Sequence, residues 1–126
     1  MKNIFLKPLF GLILLFSTYS VFSHHSVAEF DIEKDITVRA KVTEVWFNNP
    51  HVRFYAVQIN DDGKEISWDM HTSSPNSLIR RGWYSDAIKA GETVSFIGSP
   101  TRSGEPRMLV HTVELPDGKV VSSRRQ

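Results

Sequence analysis

Five histidines and no cysteine frame the chemistry open to this chain: His24, His25, His51, His71 and His111. With thiolate absent, imidazole is the main borderline metal ligand, methionine being the only other soft donor. His24 follows Val21-Phe22-Ser23, with a small residue at −1 and an aliphatic one at −3, the pattern that signal peptidase accepts. Cleavage after Ser23 makes His24 the first residue of the mature protein. Its free amine and its ring nitrogen then sit on one residue, with His25 beside it. A third nitrogen from His51 gives a set that favours Cu(II), by the Irving–Williams order and by preference for tetragonal nitrogen geometry. His51 opens a strand directly after a Pro turn, and His71 ends the third strand, which reaches the same rim if it returns beside the second. The expected metal residues are therefore His24 and His51, with His25 and His71 as supplementary ligands. A plainer reading makes His24-His25 a polar start and His51 a turn or capping residue. Cleavage one residue earlier would leave Ser23-His24-His25, a terminal tripeptide that takes Cu(II) through backbone amides and needs no fold.

Other residues carry weaker chemistry. Asn48 and Asn49 can hydrogen-bond a ligand or orient a histidine, since a ligating imidazole needs a partner on its other nitrogen; Asn49-Pro50 is also simply turn chemistry. Arg80 and Arg81 can pair with a carboxylate or stand as a solvated helix end. Trp83 joins these as a rim residue or closes one barrel end as a plug. His111 shares a strand face with Leu109 and Val113 and reads as a hydrogen-bonded core residue. Ser67, Asp69 and His71 share another face, but residues two apart on a strand stand about 6.5–7 Å apart, poor geometry for a Ser-His contact. The sequence contains no nucleophile elbow, phosphate-binding glycine loop or His-Glu-x-x-His pattern, so no enzyme is expected.

Lys2 and Lys7 precede or flank an apolar stretch at 9–16, shorter than the ~20 residues of a membrane span. The start reads as a signal peptide over 1–23 and the protein as periplasmic or secreted. Without cysteine, a lipoprotein anchor is excluded. Beyond residue 23 there are 13 basic and 14 acidic side chains; this near-neutral balance gives no reason to expect nucleic acid. Residues 24–126 suffice for one small domain.

The elements that must position these groups follow from periodicity. Residues 36–47 alternate, with Ile36, Val38, Ala40 and Val42 on one side; Val45, Trp46 and Phe47 are apolar on both sides and suggest a bulge. Residues 51–59 and 65–71 form two more strands around the hairpin turn Asn60-Asp61-Asp62-Gly63. Ser74-Pro75 suits the start of a short helix, and Gly82 its end. Strands are predicted at 93–97 and 107–115, with a short pairing strand at 119–121. Three strands, a helix and two strands match the five-stranded OB-like barrel, an all-β fold with one short helix between strands 3 and 4. The organisation expected is a signal at 1–23, an arm at 24–35, a barrel at 36–121 and a tail at 122–126.

His24-His25-Ser26 after a signal, Phe30-Asp31, Trp46 through Asn49-Pro50-His51, Ser74-Pro75-Asn76, Arg80-Arg81-Gly82-Trp83 and Leu115-Pro116-Asp117-Gly118 together resemble a family of small exported bacterial proteins of unknown function. The resemblance covers essentially the whole mature chain. It implies export, one domain and a barrel-like fold, and brings no activity with it. Two functions are expected of such an object. One is a copper-binding module using its N-terminal and rim histidines; the other is a metal-free module that holds a periplasmic protein, a peptide or a glycan.

Overall fold

The computed structural model describes residues 25–123, with side chains from Val27 onward. Residues 1–24, with the expected signal at 1–23, and residues 124–126 of the expected tail lie outside the described residues. Six strands follow a one-turn helix α1 (His25–Ala28): β1 (Ile36–Trp46), β2 (Arg53–Ile59), β3 (Glu65–His71), β4 (Thr93–Pro100), β5 (Arg107–Glu114) and β6 (Val120–Ser122), with a short helix α2 (Pro75–Ile79) between β3 and β4. The strand order is β3-β2-β1-β4-β5-β6, and a parallel β3–β5 pairing closes β1 to β5 into a barrel. That is the expected OB-like barrel, with β6 added outside it along β5.

The barrel interior explains the alternation. Val38, Ala40, Val42, Phe54, Ala56, Met70, Val94, Phe96, Met108, Val110 and Val113 are all buried in one cluster. The register across the barrel sets Val45 against Phe54, Phe54 against Met70 and Met70 against Met108. Side chains alternate along each strand, so the neighbouring positions form a second row on the outer face.

A bulge in β1 between Val42 and Glu44 shifts the register by one residue. Before it the even-numbered residues point inward; after it Val45 is half-buried while Trp46 stands exposed. The run of three apolar residues is thus split between two faces by one inserted residue. A second irregularity lies in β4 at Ile97/Gly98. A Cβ on Gly98 would fall 2.2 Å from the Leu109 carbonyl oxygen, so the close approach of these two backbones admits only glycine.

Helix α2 starts as expected. Ser74 is its N-cap, with Oγ accepting from the Ser77 N–H at 3.4 Å, and Pro75 occupies the first turn. Leu78 is buried, and the chain reverses through Gly82 at φ +85°, where the left-handed conformation favours glycine. Trp83 N–H then donates to the Leu78 carbonyl at 3.0 Å. This turn drives Trp83 into the core, 1% exposed and 6.3 Å from the Phe54 ring. Trp83 is therefore a core plug and not a rim residue: a bulky ring directly after Gly82, returned toward the buried Leu78, gains more from burial than from solvent.

The arm is part of the fold. Phe30 is 1% exposed and bridges to Thr101. The Asp31 N–H donates to the Pro100 carbonyl at 2.8 Å, and Arg102 N–H to the Glu29 carbonyl at 2.9 Å. At the other end β6 runs through Ser122, and Ser123 N–H donates to the His111 carbonyl at 2.7 Å. His111 is buried with Nε2 2.6 Å from an Asp35 oxygen, the hydrogen-bonded core histidine that its strand position implied.

Candidate functional site

The site grows out of the β2–β3 hairpin. Its turn sets Arg53 opposite His71 and Tyr55 opposite Asp69. Beyond the strand ends the ladder continues, with Val52 N–H donating to the Ser73 carbonyl at 3.0 Å and Thr72 N–H to the Val52 carbonyl at 3.1 Å. Val52 is fully buried, so His51 and Arg53 take the outer face on which His71 also stands. On the far side, β5 brings Arg107 opposite Asp69 and Leu109 opposite His71.

These cross-strand neighbours form an ion-paired network. Arg53 donates to Asp69 twice, from Nε to Oδ1 at 3.1 Å and from a terminal nitrogen to Oδ2. His71 Nε2 lies 3.0 Å from the same Oδ2. Arg107 Nε is 3.9 Å from it, and the Arg107 guanidinium makes a bidentate pair with Glu29 of the arm at 2.9 and 3.1 Å. Phe30 packs at a tilt against the His71 ring, centroid to centroid 5.7 Å.

Protonation follows from these contacts. Burial pushes the Asp69 carboxyl upward, but the Arg53 hydrogen bonds, with the charge of His71, outweigh it and hold the carboxyl below its ordinary value. The Arg53 guanidinium is raised in turn, chiefly by its hydrogen bonds to Asp69. Burial lowers His71 below the ordinary imidazole value, and Arg53 and Arg107 lower it further, against the opposing pull of Asp69. At neutral pH Asp69 is thus ionised and His71 neutral. An ionised carboxylate only accepts, so the 3.0 Å contact with Asp69 assigns the His71 proton to Nε2 and the lone pair to Nδ1; the Arg53 terminal nitrogen 3.4 Å from the same Nε2 then makes no hydrogen bond to it.

Nδ1 is the nitrogen that a metal or a ligand proton would use. The His71 ring, His51, Thr72 and Ser74 line one depression of about 430 Å³, together with Val27 and Phe30 of the arm and Leu109 of β5. Thr72 Oγ1 is buried in that wall and makes no hydrogen bond among the described residues. Two of the four histidines expected as ligands are therefore in one cavity. His25 belongs to α1, two residues before Val27, and His24 lies outside the described residues. Among the described residues no three His, Asp or Glu side chains are grouped to hold a metal by themselves.

The remaining expected residues are dispersed. Asn48 and Asn49 are exposed in the β1–β2 loop, and Asn49 lines a different depression. Arg80 and Arg81 are exposed at the end of α2, where the Arg81 guanidinium donates to Ser77 Oγ at 2.9 Å. Sequence reasoning missed Glu29, Arg53 and Arg107. Arg53 was within reach: pairing the hairpin symmetrically about Asp62 places residue 53 opposite 71.

Fold and site together define a small closed β-barrel whose outer face carries an ion-paired histidine cleft under a docked N-terminal arm. The chain belongs to DUF6152, a family of unknown function, which it matches over residues 13–110. No curated protein matches it.

Proposed function

We propose that this protein is an exported metal-binding module that holds Cu(II) between its mature N-terminus and the histidine cleft. His51 and His71 supply two imidazoles from the barrel; His24 supplies its amine and ring nitrogen. His25 is a supplementary ligand. The observation that supports this reading is that His51 and His71 line one cavity with Val27 of the arm. An extended chain spans at most about 3.6 Å per residue, so the three steps from Val27 are the reach on which this reading relies to bring a terminal amine to that cavity.

The second supporting feature is the Asp69–His71 pair. A ligating histidine characteristically donates its other ring N–H to a carboxylate, which fixes the tautomer and raises ligand basicity. Three or four nitrogens with no thiolate suit Cu(II) in tetragonal geometry. The role we assign is metal carriage or delivery to a partner redox protein.

The test is native mass spectrometry of the chain beginning at His24, with one equivalent of Cu(II) and a competing chelator. One retained copper that is lost in His51→Ala supports the proposal. Equal retention by the wild type and His51→Ala would leave only a terminal-peptide site and refute it.

A further inference from the structure

A second depression, again about 430 Å³, opens beside the first on the same outer face, lined by Glu44, Trp46, Asn49, Pro50, Arg53 and Tyr55. Its geometry is set by the register: Trp46 stands opposite Arg53, and Glu44 opposite Tyr55. The bulge in β1 turns Trp46 outward, where it remains 47% exposed. Arg53 lies over the Tyr55 ring at 5.5 Å and is anchored from behind by Asp69 through Nε and one terminal nitrogen. Its other terminal nitrogen has no partner among the described residues.

We propose that this depression binds a neutral sugar ring, with Trp46 as the stacking surface and Glu44, Asn49 and Arg53 as hydrogen-bonding groups. Three observations select that ligand class. Arg53 is already neutralised by Asp69, and Glu44 adds a negative charge, so the site offers no surplus positive charge to an anion or a nucleic acid. Both strands beneath it are paired on each side, β1 with β2 and β4, β2 with β1 and β3, so no open edge is available to add a peptide strand. What remains is one open aromatic face ringed by a carboxylate, an amide and a guanidinium. The aromatic face takes the C–H side of a pyranose, and the planar polar groups take its hydroxyls; sites for small ligands combine apolar walls with a few such groups at volumes of about 300–1,000 Å³.

The test is a ¹H–¹⁵N NMR titration of the mature protein with maltotriose, cellotriose and triacetylchitotriose at millimolar concentrations. At least one sugar should move the Trp46 indole and Asn49 amide signals saturably, and Trp46→Ala should weaken that binding about tenfold or more. Glu44→Ala, at an exposed strand position, provides a second variant whose fold is not at stake and should also weaken it. Cu(II) retention should be unchanged in both, because no histidine lines this depression. The proposal is overturned if none of the sugars moves these signals, or if the Asn49 shift survives in Trp46→Ala. It is equally overturned if the protein sediments as a dimer that Trp46→Ala dissociates, since a second copy would then cover the face.

Discussion

His71 donates its Nε2–H to Asp69 at 3.0 Å, and Asp69 is in turn clamped by Arg53. The consequence is one preferred tautomer, with the lone pair on Nδ1. Replacing the carboxylate should release that preference. In Asp69→Ala, the ¹⁵N shifts of the His71 ring should change from a single Nε2–H tautomer to a mixture. Cu(II) affinity should fall about 10–100-fold, the usual cost of losing a carboxylate behind a ligating histidine. Retained affinity with a mixed tautomer would remove His71 from the ligand set.

Acid should destabilise the fold in two stages. His71 sits below its ordinary value of 6.5 when folded, so below that pH the unfolded chain binds more protons than the native one. Stability therefore falls as pH drops from the ordinary histidine value toward the lowered one. Asp69 sits below 3.8 when folded and contributes stability at neutral pH that is lost as pH falls through the carboxylate range. The melting temperature should thus decline continuously on acidification below about pH 6.5. His71→Gln should remove the upper part of that decline, where a protonated ring would face Arg53 and Arg107. A melting temperature that rises between neutral and mildly acidic pH would contradict the assignment.

The arm should matter for metal binding beyond the histidines at its start. Glu29→Gln weakens the bidentate pair with Arg107, and amide exchange at Asp31 and Arg102 should speed up. Cu(II) affinity should drop with it, because the segment that leads to the proposed terminal ligand is no longer tied to Arg107. Phe30→Ala should cost about 3–5 kcal/mol of stability, the usual loss for a buried phenylalanine, read by urea denaturation.

Gly98→Ala should destabilise by about 1–3 kcal/mol or more, as overpacking against backbone does. The added methyl meets the Leu109 carbonyl, which cannot rotate away. The urea midpoint should fall with an unchanged slope.

The barrel was legible because its signals are local. Alternation in β1 to β3, the Asn60–Gly63 turn, and the Ser74-Pro75 start of α2 each act within a few residues. The closing β3–β5 pairing has no local signature; it followed only from element order. The half of the site carried by His51 and His71 was readable from their places at strand ends. Glu29 and Arg107, 78 positions apart, were not, since an ion pair between distant elements leaves no spacing pattern. Trp83 was assigned to the rim as well as to a plug because an aromatic after a helix-ending glycine can face either way, and only the Leu78–Trp83 hydrogen bond decides it. Trp46 is the converse: the bulge at Thr43 reverses the parity that alternation alone would assign.

The central claim is that copper is shared between the terminus and the barrel. Pulsed electron paramagnetic resonance of the Cu(II)-loaded chain beginning at His24 tests it most directly, by counting coupled imidazoles. The account predicts three, falling to two in His51→Ala and to two in His71→Ala. A spectrum of terminal amine and backbone amides, identical in both variants, would contradict it.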